Sequence, residues 1–400
     1  MTPEPAAPPT ISLTALFLKF LRFGCLAFGG PVAQIAMIRQ ALVAEERWIE
    51  PARFNRLLAV MQVLPGPEAH ELCVHMGIIA RGRPGGLLAG LGFMLPGLVL
   101  MIGCAMAYQA LVAGHALLDG VLLGVQVAVL AVIARAVQRI GGHILTDSWL
   151  WTLAVLAALA TLARVPFWMP LVVAGLANAR AEHPLVATII AALALVTAWL
   201  VMPQTSLLPI SSGASEVALV ALFIAGLKGG LLTFGGAYTA IPYVRADTVG
   251  RGWLGDGQFL DGVAFANVLP APLVIFATFT GYIVAGLPGA LAITAGMFLP
   301  AFAFSLIFFE RLESVVENPR LHRVLDGVAA AVVGIIACTL LQLGWTAWLR
   351  LGDSTQAPWL APWLGGLIFL GALVAAVRLK STWVAPAIIA AGGAVGWLVF

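Results

Sequence analysis

Long apolar runs separated by short polar punctuation organise this chain from Ile11 to Phe400. They fall at 11–29, 57–80, 84–112, 117–140, 148–165, 166–180, 184–202, 216–235, 259–284, 287–310, 321–348, 362–378 and 382–399, which gives about 13 candidate membrane segments. A helix that crosses a bilayer needs about 20 apolar residues, and most of these runs approach or exceed that length. The pair at 148–180, split at Val165-Pro166, is short and also reads as a hairpin that does not cross fully. Runs of this kind predict an all-α polytopic membrane protein.

The pattern is also written twice. "FGGPVAQIAMIR" (Phe28 to Arg39) shares its frame with "FGGAYTAIPYVR" (Phe234 to Arg245), and Arg22 falls opposite Lys228 at the same offset. After a slip of one residue Trp48 matches Trp253, Phe54 matches Phe259, and "QVLPGP" (Gln62 to Pro67) matches "NVLPAP" (Asn267 to Pro272). Further on, "MGIIARGRPGG" matches "TGYIVAGLPGA", Leu95-Pro96 matches Leu299-Pro300, and Leu118-Asp119-Gly120 matches Leu325-Asp326-Gly327. Landmarks that recur in one order with small slips indicate an internal duplication. The division is then a disordered, Pro-rich N-terminus at 1–10, a first repeat with a connector helix at 11–202, a linker at 203–215 and a second repeat at 216–400.

Composition agrees with a membrane setting: 61% of residues are apolar and 10% charged, against roughly 25% charged in a soluble domain. A net charge of +3 gives no reason to expect nucleic acid as a partner. Cys25, Cys73, Cys104 and Cys338 lie in apolar stretches without metal or redox spacing, and read as small buried hydrophobes. The N-terminal stretch has no basic region ahead of the first run, so that run is expected to stay in the mature protein.

The placement of positive charge sets the orientation. With 13 segments and a cytoplasmic N-terminus, inner loops carry Arg81 and Arg83, Arg135 and Arg139, Arg180, Arg245 and Arg251, Arg311, Arg320 and Arg323, and Arg378 with Lys380. Outer loops hold mainly Arg164 and Arg350, as the positive-inside rule expects. Corresponding loops swap their content: "ARGRPG" becomes "VAGLPG", and the bare turn near Gly114 becomes the arginine-bearing turn 311–323. Opposite bias implies two homologous repeats in inverted topology. Arg39, Arg47, Arg53 and Arg56 resist this scheme, and their segment, 31–47, either folds back into the membrane or breaks the topology.

Glycine pairs and prolines mark the candidate site. Gly29-Gly30-Pro31 reads as a break followed by a helix start, since proline suits a first helical position whose N–H has no partner. Gly235-Gly236 repeats the pair, and Pro65-Gly66-Pro67 and Pro270-Ala271-Pro272 break their own segments. Broken helices at matching positions of two inverted halves point to a transporter's binding site, and free helix N-termini suit an oxyanion. Single glycines and prolines also serve close packing and kinks. Arg39 and Arg245 lie nine residues beyond their glycine pairs, roughly 13 Å along a helix, and a guanidinium fork grips a tetrahedral dianion well. Arg22 and Lys228 are similar candidates inside apolar runs, and snorkelling to the interface is the alternative for all four. Gln62 and Asn267 offer hydrogen bonds to the same anion.

Glu68, Glu71 and His75 follow the first PGP break at spacings that place them on one helix face, with His70 to the side. Acids in a first turn also complement the helix dipole; the functional reading is a proton-coupling site, which Leu273 in place of Glu68 would make asymmetric. Asp119 and Asp326, each before a glycine, read as helix caps. "HELCVH" (His70 to His75) sets its histidines five apart, off the four-residue spacing a zinc protease needs, and no hydrolase or nucleotide-binding signature accompanies it. No enzyme, cofactor or metal site is expected.

The doubled order of an FGG segment, an arginine, a tryptophan with phenylalanine six residues later, an LPGP turn, a G-x-P-G turn and a Leu-Pro segment resembles the chromate ion transporter family in its long, two-domain form. The resemblance covers nearly the whole chain. It implies chromate efflux from the bacterial cytoplasm through the inner membrane, driven by a gradient and conferring chromate resistance. Sulfate or another oxyanion, carried by a transporter, exchanger or channel, is the alternative, and a homodimer stays open. Ala271 for Gly66 and Ala237 for Pro31 depart from the family pattern in the second repeat and question equal roles for the two copies.

Overall fold

The computed structural model describes residues 9–63, 65–112, 118–180, 189, 192–194, 196, 219–234, 236–308, 319–352, 359–379, 381 and 383–400, and the regular structure among them is helical. Outside the described residues lie 1–8, most of the connector at 184–202, the linker at 203–215, and the 311–318 part of the arginine-bearing turn. The first half contains α1 (Leu13–Cys25), α2 (Gly30–Arg39, continued by a π-helical stretch Gln40–Glu45), α3 (Pro51–Val63), α4 (Glu68–Val112), α5 (Asp119–Ile144), α6 (Ser148–Leu162) and α7 (Trp168–Ala179). The second half contains α8 (Leu219–Leu231), α9 (Ile241–Thr248, after a 3-10 turn Ala237–Ala240), α10 (Asp256–Val268), α11 (Phe276–Phe308, after a 3-10 turn Leu273–Ile275), α12 (Pro319–Gly352), α13 (Ala361–Arg378) and α14 (Val384–Val399). Each helix of the first half has its sequence mate seven places later.

Glu68–Val112, Asp119–Ile144, Leu273–Ile307, Leu321–Gly352 and Ala361–Arg378 are long and apolar enough to cross a membrane, and four shorter apolar helices accompany them. Large apolar side chains such as Val99, Trp151, Leu176, Leu341 and Trp397 stand open on the outside, the surface a multi-pass membrane protein offers to lipid. The runs at 57–80 and 259–284 are cut at their proline turns, as the Pro65-Gly66-Pro67 and Pro270-Ala271-Pro272 breaks predict: α3 ends at Val63 and α4 starts at Glu68, and α10 ends at Val268 ahead of the 3-10 turn at Leu273. Proline removes the amide that would have carried the helix on.

Both long helices that follow these turns are hairpins. Backbone angles leave the helical region at Arg81 (φ −144, ψ 28) and Gly82 (φ 63, ψ −163), and again at Ala285 (φ −144, ψ 29) and Gly286 (φ 61, ψ −155). The left-handed φ selects glycine, and the proline two residues later opens the next arm, where a missing N–H costs nothing. The arms then close on each other, Gly77 against Gly85 and Gly281 against Gly289. α1 lies along the second arm of α4, with Gly92 against the backbone of Phe17 and Leu21, and α8 lies along α11 in the same way, with Gly296 against Phe223 and Leu227.

The halves are interlocked rather than side by side. The first half's α6 and α7 pack on α12 of the second, through Gly334 against Ala154 and Gly327 against Ala174. Reciprocally, α13 and α14 pack on α5 of the first, through Gly124 against Gly392 and Gly396. Close backbone approach through small residues is the usual way membrane helices gain contact without a hydrophobic driving force.

Asp119 and Asp326 correct the reading of them as caps. Asp119 is already the first residue of α5, whose cap position is Leu118 with no side-chain bond, and Asp326 sits inside α12, 3.9 Å from His322 one turn earlier. Among the cysteines, Cys73 and Cys338 are buried as expected, whereas Cys25 is exposed and Cys104 half-buried.

Because nothing lies within 4 Å of a Cβ built on Gly82, Gly82→Ala should cost only its backbone strain, about 1–3 kcal/mol. Gly103→Ala, equally open and at ordinary φ, should be neutral or slightly stabilising. Thermal unfolding of the two variants in detergent checks the contrast.

Candidate functional site

Each glycine break meets the other half's proline turn. α1 ends at Cys25, Gly29 and Gly30 take left-handed φ of 85 and 76, and α2 starts at Gly30 with Pro31 in its first turn. Gln34, one turn into α2, is 1% exposed and donates both amide hydrogens, to the carbonyl of Ala27 and to that of Ala271, each at 2.9 Å. One acceptor belongs to its own break, the other to the LPAP turn of the second half. Conversely, Gly66 of the first LPGP turn donates its N–H to the carbonyl of Thr233, just ahead of the second glycine pair, at 2.9 Å.

Side-chain packing repeats the exchange. A Cβ on Gly66 would approach Ala301, and one on Gly97 would run into Ala271. Gly66 is the mate of Ala271 and Gly97 the mate of Ala301, so contact i to j in one direction is j to i in the other. That reciprocity is the signature of a two-fold relation.

The second break is built differently. Gly236 adopts φ 129 and ψ 153, the Thr239 hydroxyl accepts from Phe234 N–H (3.1 Å) and donates to the Gly236 carbonyl (2.7 Å), and a 3-10 turn precedes α9. With Ala237 where the first half has Pro31, the only proline of this helix start comes later, at Pro242. Asn267 gives its N–H to the Val263 carbonyl at 2.8 Å and accepts from the Tyr238 hydroxyl at 2.5 Å. Pro272 caps the 3-10 turn that leads into α11, and Pro270 lies in the turn before it. Gly235 and the side chain of Gln62 lie outside the described residues.

The acids and histidines predicted after the first turn are brought together in the interior. Glu68 is 8% exposed and His70, Glu71 and His75 at most 1%. Pro67 receives the N–H groups of His70 and Glu71 and opens α4. Neither carboxylate oxygen of Glu71 has a hydrogen-bond partner, and the carboxylate lies over the α-carbon of Gly66. Glu68 is close enough to interact with Glu71 and with Arg139. His70, expected off to the side, is instead wedged between the rings of Phe298 and Phe302 of the other half at 4.9 and 4.7 Å.

The cations divide by half. Arg245 makes a two-pronged bond to Asp256 (2.7 and 2.9 Å) and reaches Gln342 at 3.0 Å; Thr346 adds a bond to the same carboxylate at 3.2 Å. Lys228 and Arg251 share Asp247, each at 3.1 Å. In the first half the positions of Asp247 and Asp256 hold Ala41 and Pro51, and Arg22 and Arg39 are exposed. The guanidinium of Arg245 is therefore held by protein groups, and that of Arg39 meets no carboxylate among the described residues.

Sequence reasoning missed a second polar set. Asp261 accepts from the Tyr108 hydroxyl and from Gln126 Nε2, each at 2.9 Å, and Gln126 Oε1 accepts from Arg350 at 2.8 Å. An aspartate inside the apolar run of α10 was the available signal; its partners, far away in sequence, gave none.

The sequence profile of the family described as Chromate transporter matches residues 14–181 and, a second time, residues 220–397. A chromate transport protein of Pseudomonas aeruginosa is 54% identical over 99% of the chain and 94% of its own length. A chromate transport protein of Cupriavidus metallidurans is 30% identical over 84% of the chain and 83% of its own length. No solved structure matches the chain.

Asp256→Ala should lower stability by on the order of 2 kcal/mol, because it strands a partly buried guanidinium. Arg39→Ala should stay within about 0.5 kcal/mol, as exposed substitutions do. Unfolding in detergent reads both.

Proposed function

The chain belongs to the chromate transporter family, and on that premise we propose that it exports chromate from the bacterial cytoplasm across the inner membrane as a gradient-driven secondary transporter, conferring chromate resistance. The observation that carries the mechanism is the reciprocal crossing of the two breaks, Gly66 to Thr233 and Gln34 to Ala271. It supports an inverted arrangement of repeats at 11–202 and 216–400 about an axis in the membrane plane, with the anion path where the breaks meet. Helices α2, α3, α9 and α10, of 10, 13, 8 and 13 residues, are too short for a hydrocarbon core of about 30 Å. Re-entrant folding of α2–α3 and α9–α10 accounts for them, and for the arginines that resisted the positive-inside count.

In this reading the halves have different tasks. Arg39, unclaimed by any carboxylate, faces the anion, with the α2 N-terminus at Gly29-Gly30 and the turns at Pro65-Gly66-Pro67 and Pro270-Pro272 shaping the path. Arg245 and Lys228 anchor their own half through Asp256 and Asp247. Glu71, buried over Gly66, exchanges a proton as the anion passes, with Glu68 and His75 beside it on the same arm. Guanidinium recognition of a tetrahedral dianion needs an open fork of donors, which is why the unpaired arginine is assigned the substrate.

Radiolabelled chromate and sulfate flux into everted vesicles tests the assignment. Arg39→Gln should abolish gradient-driven chromate accumulation at matched expression, and Arg245→Gln should reduce it only as far as folded protein is lost. Equal loss per folded molecule would refute the division of labour, and preference for sulfate would refute the substrate.

Glu71→Gln keeps shape and burial while removing the proton. Accumulation against a gradient should vanish, with chromate–chromate exchange retained within about threefold. Loss of both activities would make Glu71 part of anion binding or of the fold.

A further inference from the structure

The interlocked halves are not packed alike where their sequences say they should be. α10 lies against α5 and α4 of the first half as well as α11, α12 and α14, whereas its mate α3 lies mainly against α4 and the π-helical stretch, with a margin on α12. Phe259, Leu260 and Val263 of α10 belong to a large core shared with Met101, Tyr108 and Leu130 of the first half. Phe54 and Leu57 of α3 belong to a cluster drawn from the first half alone. Leu260 is 2% exposed, and its mate Asn55 is exposed. Among the described residues, α10 is packed between the halves, while α3 touches the second half at α12.

A buried polar set holds the docked unit. Asp261, 2% exposed, receives Tyr108 and Gln126, and Gln126 passes the contact to Arg350 and lies 3.4 Å from the Gly257 carbonyl. Tyr108 and Gln126 belong to the first half; Asp261, Arg350 and Gly257 belong to the second. Every bond in the set therefore crosses between halves, with one amide bridging a carboxylate and a guanidinium. The first half cannot copy it: Arg56 stands where Asp261 does, Val333 where Gln126 does, and His143 where Arg350 does. Asp261, Tyr108 and Gln126 are buried, where placed donors are geometrically specific, and Arg350 joins the set from an exposed position.

We infer that Asp261 is a positioning residue of the transport cycle, a latch between the halves that keeps α10 docked in the state described here and opens when α3 docks at the symmetry-related position against α11 and α12. The inference rests on the reading that the halves alternate. It makes no use of the anion site, and the two states differ by which of two homologous units is docked between the halves.

The test uses the full chain in lipid nanodiscs, with Cys25, Cys73, Cys104 and Cys338 replaced by alanine and one cysteine placed at Ala264→Cys, on buried α10, or Asn55→Cys, on exposed α3. Labelling by a small water-soluble maleimide is compared with and without Asp261→Asn, with Tyr108→Phe plus Gln126→Leu as the second means of opening the latch. Opening it should raise labelling at 264 on the order of tenfold and lower labelling at 55 by a similar factor, and Asp261→Glu should restore much of the original pattern. No change at either probe overturns the latch. A rise at both also overturns it, since that is what loosened packing alone would give. The labelling needs no chromate, so reciprocal changes in a protein that fails to move chromate would refute the substrate and leave the latch standing.

Discussion

A helix broken at membrane depth leaves amide and carbonyl groups that water does not reach, and each must find a partner inside the protein. Here some of the partners come from the opposite half. The Gly66 amide goes to Thr233, and Gln34 gives its two amide hydrogens to Ala27 of its own half and to Ala271 of the other. Each break is thus bonded in part across the halves, and that crossing goes with the rest of the packing: α4 and α11 lie against each other, and the terminal hairpins are traded between halves. A hydrogen bond contributes only about 1 kcal/mol net in most settings, but the penalty for leaving these groups unpaired in hydrocarbon is several times larger.

The same backbone carries unequal chemistry. The kinks at Gly82 and Gly286 agree closely in φ and ψ, and Gly77, Gly85 and Gly92 of α4 make the same close contacts as Gly281, Gly289 and Gly296 of α11. Yet the second half supplies Asp247, Asp256 and Asp261 where the first supplies Ala41, Pro51 and Arg56. Asp247 and Asp256 pair Lys228, Arg251 and Arg245 in the second half, while in the first half Glu46 pairs Lys19. The omission of counterparts to Asp247 and Asp256 leaves Arg22 and Arg39 exposed, and the cost of an exposed guanidinium near a membrane is tolerable where it meets water or an anion.

The duplication, the helical build, the proline cuts and the start of α2 at its glycine pair were legible in the sequence, because each depends on residues adjacent in the chain. Glu71 and His75 were legible as one helix face for the same reason. What could not be read was set by contacts across some 100 to 240 positions: Gln34 reaching Ala271, Tyr108 and Gln126 converging on Asp261, and Arg350 reaching back to Gln126. Arg39 and Arg245 looked equivalent since their local frames match; the difference lies eleven residues beyond Arg245, in Asp256, a position that local spacing gives no reason to inspect. His70 was set aside because its neighbours in sequence place it off the acidic face, and the rings that enclose it belong to α11.

Equal backbones with unequal docking have a mechanical consequence. If both units packed as α10 does, the two breaks would be enclosed from both sides, and if both packed as α3 does, the interior acids would be left without the core that covers them. In the proposed cycle, one unit docked with its mate undocked would close the broken helices on one face only. Two halves related by strict symmetry would give the reverse state the same energy; in the proposed latch Asp261 and its partners tilt the balance toward docked α10, so on the proposed cycle the gradient would drive departure from this state rather than return to it. In the proposed mechanism, proton exchange at a carboxyl beside the crossing, where Glu71 lies over Gly66, would be the step at which that energy enters, because it would alter the charge at the point both units share.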